Sequence, residues 1–405
     1  MRDKAEVEAR TGELAEKAAA FCEASIRDWT GWAARMLADT PEIAGHSLAT
    51  ALVLGDAARV RAEIQRDPPA ATRPDPRTGW TPLHAACASR WHRLDPPRAE
   101  GLAAVARLLL DAGADPARSI RGPRGGVWTP LRCAVAGAAN PEITALLLDR
   151  GAVPGDHDLY LACFGDDHHE SLRLLLARTP DVSQTTALSA PVSTGDTEAV
   201  RLLLEAGADP NRPLPRDDGE PAWPALYAAV SSGCPAELVE LLLEHGGDPD
   251  AAGPDGRSPY RLATSLGRAD LTALLRRHGA RDDATGTDRF LSACLRADRP
   301  EVQRLLAADP GLPARLTETE HGAIVTAGGR GDTAAVQLML DLGFPGATRG
   351  GDDGGTALHA AAYSGSAGTV RLLLDHGAGL EARDTTWDST PLVWAMVGSG
   401  ERPQA

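Results

Sequence analysis

The chain has 405 residues, a formal net charge of −15, 43% hydrophobic residues and 4% aromatic ones. One compact core does not fill that length, so either several domains or an extended array is expected. The acidic balance excludes nucleic acid or an anionic membrane surface as the main partner, because both need a basic field.

The start, MRDKAEVEARTGELAEK, is charged throughout and has no apolar run of a secretory signal. No window reaches the ~18 apolar residues of a membrane span, and six cysteines in so long a chain make no disulfide framework. A cytoplasmic, monomeric protein is expected. Of the 41 basic residues only Lys4 and Lys17 are lysines, which reads as the coding bias of a GC-rich genome.

Glu13–Ser25 and Trp29–Leu37 are predicted to form a divergent helix pair. Residues 1–45 are assigned to it as an N-terminal cap, with Glu13, Glu16, Lys17 and Glu23 supplying the polar outer face that a terminal unit needs. The remainder, 46–405, is governed by a repeat. Leucine-rich runs begin at Leu108, Leu146, Leu174, Leu202, Leu241, Leu274, Leu305, Leu338 and Leu372, a mean spacing of 33 residues. Such a period means a solenoid, in which each unit buries its apolar face only against its neighbours.

Residues 78–116 show the unit. Thr81 is an N-cap, and Pro82 suits the first helical position, where its missing N–H costs nothing. Leu83, Ala86 and Cys87 then recur at i, i+3 and i+4 as the stripe of a short first helix. Val105, Leu108 and Leu109 belong to a second helix. That helix stops at Gly113, a residue free to take the left-handed conformation, and Asp115-Pro116 opens a turn. Glycine recurs at this offset at 151, 207, 246, 279, 343 and 377; Thr179 and Pro310 replace it in two runs. Cys87, Cys163 and Cys294 share one place late in the first helix and are expected to be inert core thiols.

GWTPLHAAC (79–87) and GTALHAAAYSG (355–365), each followed by LLLD-x-GA, resemble the ankyrin repeat, here in a divergent and bacterial form. The resemblance runs from about Ser47 to the C-terminus. It implies an all-α solenoid of about eleven helix–turn–helix units, with loops or short β-hairpins projecting as fingers at one edge. It also implies that the histidine of TPLH, matched by His84 and His359, ties neighbouring turns together by hydrogen bonds; Arg132, Tyr227 and Tyr260 or Arg261 stand near that place elsewhere. Two 28-residue intervals predict clipped fingers around 156–176 and 184–204.

Ankyrin-like proteins bind partners along the finger edge and the first-helix face, the concave side. Trp80, Trp128 and Trp223 precede the first helix at the finger base, Trp387 lies in the last finger and Trp394 on the last first helix. Tryptophan is a favoured binding anchor that buries roughly 150–250 Å². The alternative for the three at the finger bases is a hydrophobic staple, but the facing residues would be Ala85, Cys133 and Ala228, all too small to hide an indole. The insertion SRWHRLDPPRAEG (89–101) concentrates Arg90, Trp91, His92, Arg93 and Arg98 in a surface loop suited to clasping an acidic segment. The predicted function is therefore a non-catalytic scaffold that binds a protein or peptide, with no cofactor and no metal. DDHHE (166–170) has the form of a magnesium-binding DDxxE motif. It falls in a short turn where side chains diverge, so no coordination sphere is expected. An alternative function is a small-molecule binder or enzyme of specialised metabolism that uses the Asp166–Glu170 cluster or the tryptophan-lined groove. After Thr390-Pro391 a first helix is expected through Val397. GSGERPQA then reads as the start of a longer connection, leaving the last repeat apparently incomplete and its half-unit either truncated or frayed.

Overall fold

Small polar side chains decide where the helices start. In the computed structural model, which describes residues 2–27, 29–76, 78–121, 126–215, 222–351 and 353–401, the hydroxyls of Thr81, Thr129 and Ser258 each accept a backbone N–H at the start of a first helix. Asp56, Asp196, Asp298 and Asp332 do the same for second helices. Each such cap satisfies an amide that the helix cannot pair internally, worth about 1 kcal/mol. At the other end, all seven repeat glycines have φ between 78° and 99°, as a left-handed helix stop requires.

Helix occupies 59% of the chain. The chain divides into two units, Met1–Ala222 and Trp223–Ala405. The first opens with helices Arg2–Ile26 and Thr30–Asp39 and a 3-10 turn Pro41–Gly45. Five pairs follow: Leu48–Leu54 with Ala57–Arg66, Pro82–Cys87 with Pro96–Asp111, Pro130–Arg132 with Pro141–Asp149, Asp156–Ala162 with Glu170–Leu176, and Ser189–Thr194 with Thr197–Glu205. The second unit carries Ala225–Ser231 with Ala236–Glu244, Pro259–Ser265 with Ala269–Arg277, and Gly286–Leu295 with Arg299–Ala308. Ala323–Gly329 with Thr333–Asp341, Ala357–Tyr363 with Ala367–Asp375, and the single helix Pro391–Glu401 complete it. The expected all-α stack is present, one first helix packing on the next within each unit.

Two fingers are antiparallel two-residue hairpins, Ile120–Arg121 with Val127–Trp128 and Arg349–Gly350 with Gly355–Thr356. The glycine-rich tip at 122–125, and likewise Asp352, lie outside the described residues. No strand is formed between residues 150 and 205, a stretch that includes the units around 156–176 and 184–204 where clipped fingers were expected. Each unit has a leucine and alanine seam as its core. Leu83, Leu109, Leu147 and Leu175 are fully buried in the first unit, and Phe290, Ile324 and Met339 in the second.

Two close approaches depend on glycine. A Cβ on Gly101 would stand 2.4 Å from the carbonyl oxygen of Gly55, so helix Pro96–Asp111 packs there backbone on backbone. A Cβ on Gly398 would stand 2.2 Å from the carbonyl oxygen of Tyr363. This corrects the reading of GSGERPQA as a connection. The last helix continues through Gly398, Ser399 and Gly400 to Glu401, because Gly398 lets it lie against Ala357–Tyr363. Residues 402–405 lie outside the described residues. The face turned away is apolar and exposed, with Leu392 and Met396 each 68% exposed.

The insertion is also corrected. Only Trp91–Arg93 forms a separate 3-10 turn; Pro96–Gly101 extends the second helix by two turns, with Asp95 and Pro96-Pro97 marking its start.

Candidate functional site

The histidines of the TPLH pattern are structural ties. His84 is fully buried; its Nδ1 accepts the Thr81 hydroxyl at 2.7 Å and its Nε2–H donates to the Trp128 carbonyl of the next repeat at 3.3 Å. Burial lowers its pKa to about 4. His359 repeats the arrangement with Thr356 and the Ser389 carbonyl, the latter at 3.1 Å. Where arginine replaces histidine, an ion pair replaces the tie. Arg132 Nε donates to Asp158 Oδ1 and Arg261 Nε to Asp288 Oδ2, both at 2.8 Å. Asp158 and Asp288 are buried at the third position of the following first helix. The spacing of Arg to Asp is visible in the sequence, but its meaning emerges only when consecutive repeats are superposed in register.

The cysteines at the shared first-helix place are core thiols. Cys87, Cys163 and Cys294 are buried, and burial pushes the thiols of Cys163 and Cys294 up to about 12. A thiol held neutral is a poor nucleophile.

Trp80, Trp128 and Trp223 are half-buried. The Trp80 ring lies 6.2 Å from that of His84, and Trp223 meets Tyr227 edge-on at 5.6 Å. The ring that the Trp80 and Trp223 indoles meet is thus the fourth residue along, not the alanine one position further that a staple would use. Because His84 also bonds the Trp128 carbonyl, Trp80 and Trp128 stand on consecutive turns of one edge in the first unit. Trp387 is 71% exposed, with Nε1 donating to Asp353 at 3.3 Å.

Two other tryptophans are committed to the fold. Trp91 is 5% exposed; its Nε1 donates to Ser25 Oγ at 2.9 Å, its ring lies 5.7 Å from that of Phe21, and the Arg98 guanidinium sits over it. It therefore cannot serve as a surface anchor. The insertion that carries it fastens helix Arg2–Ile26 to the second pair, the Arg90 amide also donating to the Ser25 carbonyl at 3.1 Å, while Ser89 Oγ ties the second pair to the first by donating to the Val53 carbonyl at 2.6 Å. Trp394 is half-buried between His359 and Tyr363 and donates to Asp384 at 2.8 Å.

Arg90 and Arg93 meet a surface that the sequence reading missed. After Arg132 the first helix of its repeat widens into a π-helical turn, Cys133–Ala138, and ends on Ala139 in the left-handed region at φ 47°. At equivalent ends glycine does this, for example Gly55 and Gly195; alanine there costs of order 1 kcal/mol. The turn leaves the Ala138 carbonyl free to accept Arg93 Nε and Nη2 at 3.0 and 2.5 Å, while Arg93 Nη1 donates to Asp166 at 2.8 Å. Beside it opens a cup of about 270 Å³ floored by Val135, Ala136 and Leu161 and rimmed by Arg90, Arg93 and Asp166. Phe164 forms its wall and is 51% exposed, with Tyr160 edge-on to it at 5.3 Å and His157 stacked on Tyr160. The signal was present: His157, Tyr160, Leu161 and Phe164 form a second stripe at i, i+3, i+4 and i+7, beyond the one needed for the core.

The residues of DDHHE point to different partners. Asp166 pairs with Arg93, Asp167 accepts the Ser171 amide at 3.0 Å, and His169 Nε2 lies 3.3 Å from Asp196. Among the described residues, no three His, Cys, Asp or Glu side chains are grouped to hold a metal ion. No helix among them is long and apolar enough to cross a membrane.

Family models place the same units. One for an ankyrin repeat matches 78–119, 183–213 and 223–254, and one for three copies of the repeat matches 290–384 and 321–401. This chain is built of ankyrin repeats. Similar curated proteins include bovine (Bos taurus) cyclin-dependent kinase 4 inhibitor B, 47% identical over 60 residues, which are 15% of this chain and 40% of that protein. Mouse (Mus musculus) protein phosphatase 1 regulatory subunit 27 is 40% identical over 76 residues, 19% of this chain and 46% of that protein. Mouse 2-5A-dependent ribonuclease is 35% identical over 82 residues, 20% of this chain and 10% of that protein. The chain thus spans less than half of the length of these relatives.

Proposed function

We propose that this ankyrin-repeat chain is a non-catalytic scaffold that binds a protein or peptide along the finger and first-helix faces of its units. Residues 1–45 serve as its helical cap. The observation that carries the reading is the aromatic edge: Trp80 and Trp128 on consecutive turns, each half-buried beside a fully formed repeat. An indole left partly in water suits an anchor, since a contact removes the remaining apolar surface. Trp223 and Trp387 in the second unit, and Arg90 and Arg93 in the first, extend the set. Two relatives are named for acting on other proteins, as a kinase inhibitor and a phosphatase regulatory subunit, in keeping with this reading. The scattered partners of Asp166–Glu170 give no support to metal-assisted chemistry.

The test is affinity capture from the native cell with the wild-type chain and with Trp80→Ala/Trp128→Ala, followed by measurement of the purified pair. The variant should keep its helical content and bind at least about tenfold more weakly. Equal binding by the two forms would remove the tryptophan edge from the function.

A further inference from the structure

The finger edge of the first unit presents hydrogen-bond donors without matching acceptors. Arg118 and Arg121 lie at the start of the hairpin finger, and both are exposed. Arg121 stands opposite Val127, itself 53% exposed, and Ile120 stands opposite Trp128. Neither arginine pairs with a carboxylate among the described residues. Fingers of the second unit treat their arginines differently: Arg257 is held by Asp255, Arg281 by Asp250 and Arg383 by Asp388. The acidic residues nearest Trp80 and Arg118 in the sequence serve their own turns, Asp75 accepting the Thr78 amide and Asp115 the Ala117 amide.

The tryptophans of the same edge add two more donors. The indole N–H groups of Trp91, Trp387 and Trp394 reach Ser25, Asp353 and Asp384, whereas those of Trp80 and Trp128 bond to none of the described residues. His84 gathers these groups together. Its ring lies 6.2 Å from that of Trp80, the carbonyls of Trp128 and Arg118 both accept from it, and the Arg118 guanidinium stands near enough to disfavour its protonation. Two unneutralised guanidiniums and two open indole N–H groups make this edge cationic and donor-rich in a chain of net charge −15. A carboxylate matches the guanidinium fork, and an indole face takes the apolar body of a ligand while its N–H takes an acceptor. Packed helix layers stand ~8–10 Å apart, which is about three residues of extended chain. The Trp80 and Trp128 sites therefore fall about three residues apart along an extended segment.

We propose that this edge binds an extended acidic segment of a protein partner, with carboxylates on Arg118 and Arg121 and apolar side chains against Trp80 and Trp128. The inference rests on the reading of the chain as a protein-binding scaffold and deepens it by naming the partner's local chemistry.

Selection of a phage-displayed random dodecapeptide library on the full chain tests it, followed by fluorescence anisotropy with the synthesised winners. Enriched peptides should carry two or more Asp or Glu together with apolar residues, and should bind more weakly as salt is added. Their binding should fall at least about tenfold in Arg118→Gln/Arg121→Gln, a change of two exposed side chains that leaves the core untouched. Arg107→Gln, an exposed arginine on helix Pro96–Asp111, should bind as the wild type does. Peptides without acidic residues, or equal binding by the double variant and the wild type, would overturn the proposal. So would an equal loss in Arg107→Gln, which would mark a response to overall charge, and so would failure to enrich any peptide. A fluorescent dodecathymidylate bound as tightly as the winning peptide would overturn it in favour of a nucleic-acid edge. The scaffold reading is judged separately, by capture with and without Trp80 and Trp128, so a peptide lost by the tryptophan variant and kept by the arginine variant would sink this inference alone.

Discussion

His84 makes the stack sensitive to acid in a way that can be worked through. Its imidazole is fully buried, accepts from Thr81 and donates to the Trp128 carbonyl, so the folded protein holds it neutral with a pKa near 4. The unfolded chain titrates near 6.5. Between these values the unfolded state binds the proton and the folded state does not, so stability falls as pH drops from about 6.5 towards about 4. The full difference is about 3 kcal/mol, and on going from pH 7.5 to 5.0 about 2 kcal/mol of it is lost. His359, whose pKa burial also lowers, changes in the same direction. Two measurements check the argument. Long-range proton–nitrogen spectra should show His84 in the Nε2–H tautomer down to about pH 4. Denaturant unfolding at pH 7.5 and 5.0 should show a pH loss about 2 kcal/mol smaller in His84→Gln than in the wild type. A His84 midpoint near 6.5, or the same pH loss in both proteins, would refute the reasoning.

Removing Arg132 leaves the buried Asp158 carboxylate without its cation; Arg132→Ala should destabilise the first unit by about 3 kcal/mol, read by thermal and denaturant melts. Trp91→Ala should cost about 3–4 kcal/mol as a core cavity, and hydrogen exchange should show residues 12–26 losing protection together. Gly398→Val places side-chain atoms where the Tyr363 backbone lies, so the last helix should detach and the Trp394 emission shift to the red. An unchanged spectrum would count against that packing. The same helix has Leu392 and Met396 uncovered, so amides of 390–397 should exchange faster than those of 369–375; equal protection would show that the edge is well capped.

The local rules of this protein were legible in its sequence because each repeat writes them again. Thr81-Pro82 and Gly113 fix where helices begin and end through backbone chemistry alone, and a mean spacing of 33 leaves stacked pairs as the arrangement that buries every leucine run. The core thiols followed from the same register, and the role of His84 from the resemblance to the ankyrin repeat. What the sequence could not supply was which side chains meet across repeats. Trp91 read as a surface anchor because its neighbours are Arg90, His92 and Arg93, yet its indole partner, Ser25, is 66 residues away. The arginines at 132 and 261 looked like lapses from TPLH until Asp158 and Asp288 were found facing them. The cup needed more still: a π turn that frees one carbonyl, Arg93 reaching across 45 residues to it, and a second stripe from His157 to Phe164 beside the one that faces the core. Periodicity determines the stack because burial along it is nearest-neighbour. The site depends on long-range contacts and on departures from the period, so only the folded chain decides it.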